Sequence, residues 1–255
     1  MSKTFHVCRA IRWLTGRKMP HTTAILLAGG SSSRMGEGAV TKQMLLLDGA
    51  PAVLHTLRAF EKCPYIHEIV LVAKRDELDA MRALVAAFGV KKLRAVVPGG
   101  STRQLSALAG FEAIDGKKTK FVAIHDVARC LVTPDMIADV VATAYAEGAA
   151  IAATRVTDTI KRVGANGYIA KTEDRETLWG AQTPQAFSAD LYRAAAYTAM
   201  QQKLEVTDDA MLCEHIGQRV KLVDCGRENI KITTPADIPV AEAILASRRA
   251  KEERK

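Results

Sequence analysis

The chain has 255 residues, 48% of them hydrophobic and 25% charged, and a formal net charge of +8. That length supports one large α/β core, and the lack of any apolar run near the eighteen or so residues of a membrane span points to a soluble globular protein with no membrane partner. Five of the positive charges, Lys3, Arg9, Arg12, Arg17 and Lys18, lie in an acid-free start, and aromatics make up only 5%; with no basic stripe interleaved with stacking rings, no nucleic-acid partner is expected.

In chain order, the acid-free segment comes first. Residues 1–21 read as a basic extension, either a disordered leader or a mis-assigned start with Met19 as the true one. The expected location is cytoplasmic, with organelle import as the alternative if this segment is a transit peptide. The five cysteines, Cys8, Cys63, Cys130, Cys213 and Cys225, are scattered and never form a CxxC pair, which suits reduced thiols better than a disulfide framework or a zinc site.

From residue 23 onward, strand-like runs alternate with amphipathic helical ones: TAILLA then PAVLHTLRAFEKC, EIVLVA then DELDAMRALVAAFG, LRAVVPGG then TRQLSALAGFEAI, FVAIHD then TPDMIADVVATAYAEG. Parallel strands need long crossovers and helices supply them, so four such units predict a doubly wound, mostly parallel α/β sheet. After AAIAATRV the rhythm breaks. DTIKRVGANGYIAKTEDR reads as two strands joined at Asn166-Gly167, a pair suited to the positive φ angles of a tight hairpin. A β arm is therefore expected at about 155–186, within a single domain over residues 22–248. Helical patterns return in SADLYRAAAYTAMQQ and TDDAMLCEHIG, followed by RVKLVDC, a short alternating ENIKIT and a last helix from Pro235.

The stretch AILLAGGSSSRMGEGAVTKQ places a glycine-serine loop at the carboxyl end of the first strand, where open α/β sheets bind ligands. Gly29 and Gly30 let backbone N–H groups approach an anion, Ser31, Ser32 and Ser33 add hydroxyl donors, and Arg34 and Lys42 add positive charge. This combination suits a triphosphate. The GxxxxGK[ST] spacing of a P-loop is absent, and GxGxxG fits poorly, so neither that loop nor a dinucleotide site is expected.

With PGGSTRQLSALAG, AIHDVARCLVTP, VTDTIKRV, TEDRETLWGAQTPQAF, VTDDAML and ENIKITTPADI following in order, the chain resembles the 2-C-methyl-D-erythritol 4-phosphate cytidylyltransferase family. The likeness runs from about Thr22 to Leu245. It implies a Rossmann-like nucleotidyltransferase that moves CMP from CTP onto a polyol phosphate with Mg²⁺ and releases pyrophosphate. By resemblance, Ala28, Gly29, Gly30, Gly100 and Ser106 hold CTP; Arg34, Lys42 and Lys231 are catalytic; and Asp126 holds the metal. Arg129, Thr157, Asp158, Arg175, Thr183 and Thr207 would grip the polyol phosphate, some of them across a homodimer interface made by the β arm. Ribitol-5-phosphate cytidylyltransferases share most of these motifs, so the identity of the polyol stays open, and a non-catalytic nucleotide-binding relative is the remaining alternative. Thr41, Val127 and Cys130 depart from the family's usual wording, and they affect loop stiffness more than charge.

Overall fold

The computed structural model describes residues 19–29 and 41–253. Gly30 and Arg34 of the glycine-serine loop lie outside the described residues. In chain order the elements are β1 (Thr22–Leu27), β2 (Leu46–Leu47), β3 (Ala50–Pro51), α1 (Ala52–Lys62), β4 (Glu68–Ala73), α2 (Leu78–Phe88), β5 (Leu93–Pro98), α3 (Arg103–Glu112), β6 (Phe121–Asp126), α4 (Pro134–Glu147), β7 (Ala149–Arg155), β8 (Lys161–Val163), β9 (Ile169–Thr172), β10 (Trp179–Ser188), α5 (Ala189–Gln201), α6 (Asp209–His215), β11 (Lys221–Asp224) and α7 (Asp237–Glu252).

Seven strands form the central sheet in the order β11-β7-β10-β6-β1-β4-β5. All pairings are parallel except those of β10, which runs antiparallel to both β6 and β7. Strand β1 is buried throughout, as a parallel strand covered on both faces must be. Its alternation sorts the helices. Ala24 and Leu26 pack with Val53 and Phe60 of α1, Met81 of α2 and Val140 of α4. Ile25 and Leu27 pack with Leu108 and Phe111 of α3, Tyr192 of α5 and Leu212 of α6. The doubly wound, mostly parallel arrangement expected from the alternating runs is the one observed.

Two expectations need correction. ENIKIT is not a strand: residues 228–233 run in irregular backbone, because Asn229 is buried with its side-chain amide donating to Gln182 Oε1 (3.0 Å) and Thr183 O (2.8 Å). That anchor turns the segment toward the carboxyl end of β6, where the Ile232 N–H donates to Ala128 O (2.8 Å). The arm is also shorter than 155–186. Strand β10 returns residues 179–188 to the central sheet, and the separate two-stranded sheet holds only β8 and β9, every residue of which is exposed. Its turn places Asn166 at φ 60° and Gly167 at φ 80°, the left-handed conformation anticipated for the Asn-Gly pair.

Helix α7 starts two residues beyond Pro235. The Asp237 carboxylate accepts from the backbone N–H and hydroxyl of both Thr233 and Thr234, which fixes the loop leading back to Lys231.

Candidate active site

Strands β1, β4, β5 and β6 end side by side, with Leu27 level with Asp126 and Val72, and Ala73 level with Pro98. A cleft of about 400 Å³ opens over these ends. Its lining includes Ala28, Gly29, Lys42, Lys74, Gly100, Arg103, Ser106, Asp126 and Lys231. The volume falls within the usual range for small-molecule sites. Five separated segments thus bring together seven of the residues expected from the sequence. Lys42 is buried at 9% exposure on the short 3-10 turn Lys42–Met44.

The cleft's electrostatics centre on Asp126, the only carboxylate among the described residues lining it. Asp126 Oδ1 accepts from Arg103 Nε at 2.9 Å, and Oδ2 accepts from Lys231 Nζ at 2.6 Å. Burial would raise its pKa, but the Arg103 and Lys231 charges outweigh that and hold the carboxyl well below the usual range. The backbone behind it is locked by a directional chain. The Asp126 N–H donates to Thr183 Oγ1 (3.1 Å), leaving the Thr183 hydroxyl proton for His125 Nδ1 (2.9 Å). Burial lowers the His125 pKa to about 3, so the ring is neutral and its Nε2–H faces Arg129 O at 3.3 Å.

Gly100 approaches α3 so closely that a Cβ there would meet Leu105 Cβ at 2.5 Å, a contact only glycine tolerates. Ser106 Oγ donates to Thr102 O (2.8 Å) and accepts from the Gly100 N–H (3.1 Å). The hydroxyl therefore shapes the cleft wall.

The remaining expected residues that the structure describes are not in the cleft lining. Arg129 Nη1 donates to Asn229 O (2.9 Å) and Nη2 to Ala181 O (3.3 Å). Thr183 is buried in the chain just described. Thr157, Asp158 and Arg175 are exposed beside the β8–β9 sheet, where Arg175 Nη1 donates to Thr157 O (3.1 Å). Thr207 is exposed ahead of α6. Reading the sequence missed Arg103 and Asp209. Arg103 bonds both Asp126 and Asp209, the latter from Nη1 to Oδ2 at 2.8 Å. Its only signal was a cation three residues before Ser106 in GGSTRQLS.

The profile of the 2-C-methyl-D-erythritol 4-phosphate cytidylyltransferase family matches residues 22–247. This chain belongs to that family. Curated relatives named 2-C-methyl-D-erythritol 4-phosphate cytidylyltransferase include that of Pelotomaculum thermopropionicum, 43% identical over 91% of this chain and 98% of that one. That of Geobacillus kaustophilus is 44% identical over 89% and 98%. Among solved structures, 4-diphosphocytidyl-2C-methyl-D-erythritol synthase from Anaerococcus prevotii superposes with a TM-score of 0.79 at 29% identity, over 89% of this chain and 96% of that one. The cytidylyltransferase of Thermus thermophilus gives 0.68 at 31%, over 89% and 98%. In this cytidylyltransferase of isoprenoid biosynthesis, Lys42, Lys231 and Asp126 are the charged residues named by the resemblance that line the cleft among the described residues.

Proposed function

We propose that this chain transfers the cytidylyl group of CTP to 2-C-methyl-D-erythritol 4-phosphate, giving CDP-methylerythritol and pyrophosphate. The observation that carries this reading is the meeting of Lys42, Asp126 and Lys231 beside Ala28 and Gly29 at the carboxyl ends of the central strands. The transferred phosphorus is flanked by oxygens that gain negative charge in the transition state, so fixed cations and alignment do most of the catalytic work.

In this reading Ala28, Gly29 and Gly30 line the triphosphate. Arg34 and Lys42 neutralise charge at the α-phosphate and bridging oxygens. Gly100 and Ser106 form the wall against the cytosine. A phosphate oxygen of the polyol phosphate attacks the α-phosphorus, and the bond from that phosphorus to the bridging oxygen breaks, its electron pair leaving on pyrophosphate. Lys231 steadies the incoming phosphate. Arg129, Thr183 and Thr207 hold the same substrate, together with Thr157, Asp158 and Arg175 from a partner subunit. The exposed Val163 and Ile169 of the β8–β9 sheet, with Tyr168 of its turn, support a homodimer, since a lone two-stranded sheet is marginally stable. The expected location is the cytoplasm.

Among the described residues, no three His, Cys, Asp or Glu side chains gather to hold a metal. A single ionised carboxylate in a phosphate-binding cleft nevertheless fits Mg²⁺, which takes one or two protein oxygens and fills its shell with phosphates and water. Asp126 would hold the ion, which when bound screens the triphosphate charge.

Pyrophosphate release in the presence of CTP and Mg²⁺ tests the reading. Release is expected with methylerythritol phosphate and not with ribitol 5-phosphate. Release with ribitol 5-phosphate alone would reassign the second substrate, and release with neither would contradict catalysis.

A further inference from the structure

The guanidinium of Arg103 spans two carboxylates, Asp126 at the cleft and Asp209 at the first turn of α6. Asp209 is 1% exposed and does not line the cleft. It is firmly placed: Tyr192 Oη donates to its Oδ1 (3.2 Å), and its backbone N–H and that of Ala210 both donate to Gln185 Oε1 at 3.0 Å. Burial raises its pKa and the Arg103 charge opposes that rise. Arg103 meets Asp126 through Nε alone, while Nη2 is buried without an acceptor. Nε and Nη2 are the two teeth of a side-on guanidinium fork, the arrangement in which arginine grips a carboxylate most firmly.

We propose that Asp209 is a positioning residue that draws the Arg103 guanidinium away from a two-toothed grip on Asp126, leaving that carboxylate acceptor sites for a divalent cation arriving with CTP. A carboxylate offers about four acceptor sites. Arg103 Nε and Lys231 Nζ occupy one each, and a guanidinium freed from Asp209 would take another through its idle Nη2. Charge balance points the same way. With Asp209 ionised, Arg103 is shared between two anions; with that charge removed, its attraction falls wholly on Asp126, in direct competition with a metal. The proposal rests on the reading of Asp126 as the metal carboxylate.

The test is calorimetric titration of the full chain with CTP, without the second substrate, once with Mg²⁺ and once with chelator. The quantity read is the ratio of the two dissociation constants, which isolates the metal's contribution from direct contacts to the nucleotide. In Asp209→Asn that ratio is expected to fall on the order of tenfold, at the lower end of what loss of a supporting contact to a metal ligand costs. In Arg103→Met, which removes the competitor, CTP binds more weakly under both conditions but the ratio does not fall, and the double variant follows Arg103→Met. A purely structural role would lower the ratio in both single variants. That outcome, or an unchanged ratio in Asp209→Asn, overturns the proposal. If Asp209→Asn does not fold, Arg103→Met decides alone: an undiminished ratio supports the proposal and a fall overturns it. A wild-type chain that binds CTP with no help from Mg²⁺ instead removes the underlying reading of Asp126, and the proposal with it.

Discussion

In the proposed reaction, Lys42 is the cation assigned the largest electrostatic role. It is buried beside Gly29, in a setting of low polarisability where a charge aimed at a developing anion is worth far more than in water. Lys42→Ala is expected to lower turnover by about 10² to 10³, the usual scale for losing one such contact. Near wild-type pyrophosphate release by that variant would remove Lys42 from the catalytic set. Lys42, Asp126 and Lys231 were legible because each is a charged residue inside a motif whose order along the chain is distinctive. Arg103 and Asp209 were not. They lie 106 residues apart, and nothing in GGSTRQ or TDDAML shows that one side chain reaches the other. Ser106 was read by resemblance as a CTP contact, whereas the commitment of its hydroxyl to Thr102 and Gly100 depends on a turn that only the folded chain defines.

Helix α3 carries both Arg103 and Ser106, and its seat on the sheet depends on Gly110. A Cβ at Gly110 would meet Ile25 Cγ2 at 2.4 Å and Val72 Cγ2 at 2.8 Å. Both contacts are stiff β-branched side chains, buried completely. Gly110→Ala gains about 0.5–1 kcal/mol in helix preference but overpacks this contact at about 1–3 kcal/mol. The expected sum is destabilising, seen as a lower urea midpoint, and it is accompanied by a raised KM for CTP as α3 shifts. An unchanged midpoint would show that α3 seats itself without the glycine. The helices and the parallel strands were readable from their alternation of apolar runs. Strand β10 was not, because it buries Gln182, Thr183 and Gln185, and that polar spelling hides a central strand. ENIKIT spelled a strand and formed none, because the buried amide of Asn229 outweighed the alternation.

For the molecule as a whole, the thiols report on packing. Cys63, Cys130, Cys213 and Cys225 are free and buried. Desolvation pushes their pKa from an ordinary 9.0 up to about 11 for Cys63 and about 12 for the other three. Since the thiolate is the reactive form, native protein at pH 8 should show at most one thiol reactive toward a disulfide reagent, Cys8 being outside the described residues, and five after denaturation. Two or more fast thiols in the native state would contradict the packing. The sign of the linkage follows. A folded pKa raised above the unfolded one favours the neutral thiol, so stability is full below about pH 9 and declines as the pH rises toward 11–12.

The same scale governs assembly. Tyr168, 77% exposed on the β8–β9 turn, would be covered in the proposed homodimer, and an exposed aromatic of that kind is a common interface anchor. Tyr168→Asp should convert a dimer to a monomer in light scattering and lower activity with methylerythritol phosphate. A wild-type monomer of full activity would remove the dimer from the account.

The central claim is that CTP's phosphates lie over Gly29 at the carboxyl ends of β1 and β6, between Lys42 and Asp126. A crystal structure with CTP and Mg²⁺ tests this most directly. The account predicts the triphosphate within hydrogen-bond reach of the Gly29 backbone and of Lys42 Nζ, with the cytosine against the wall formed by Gly100 and Ser106. A nucleotide bound elsewhere, or phosphates directed away from Lys42 and Asp126, would contradict it.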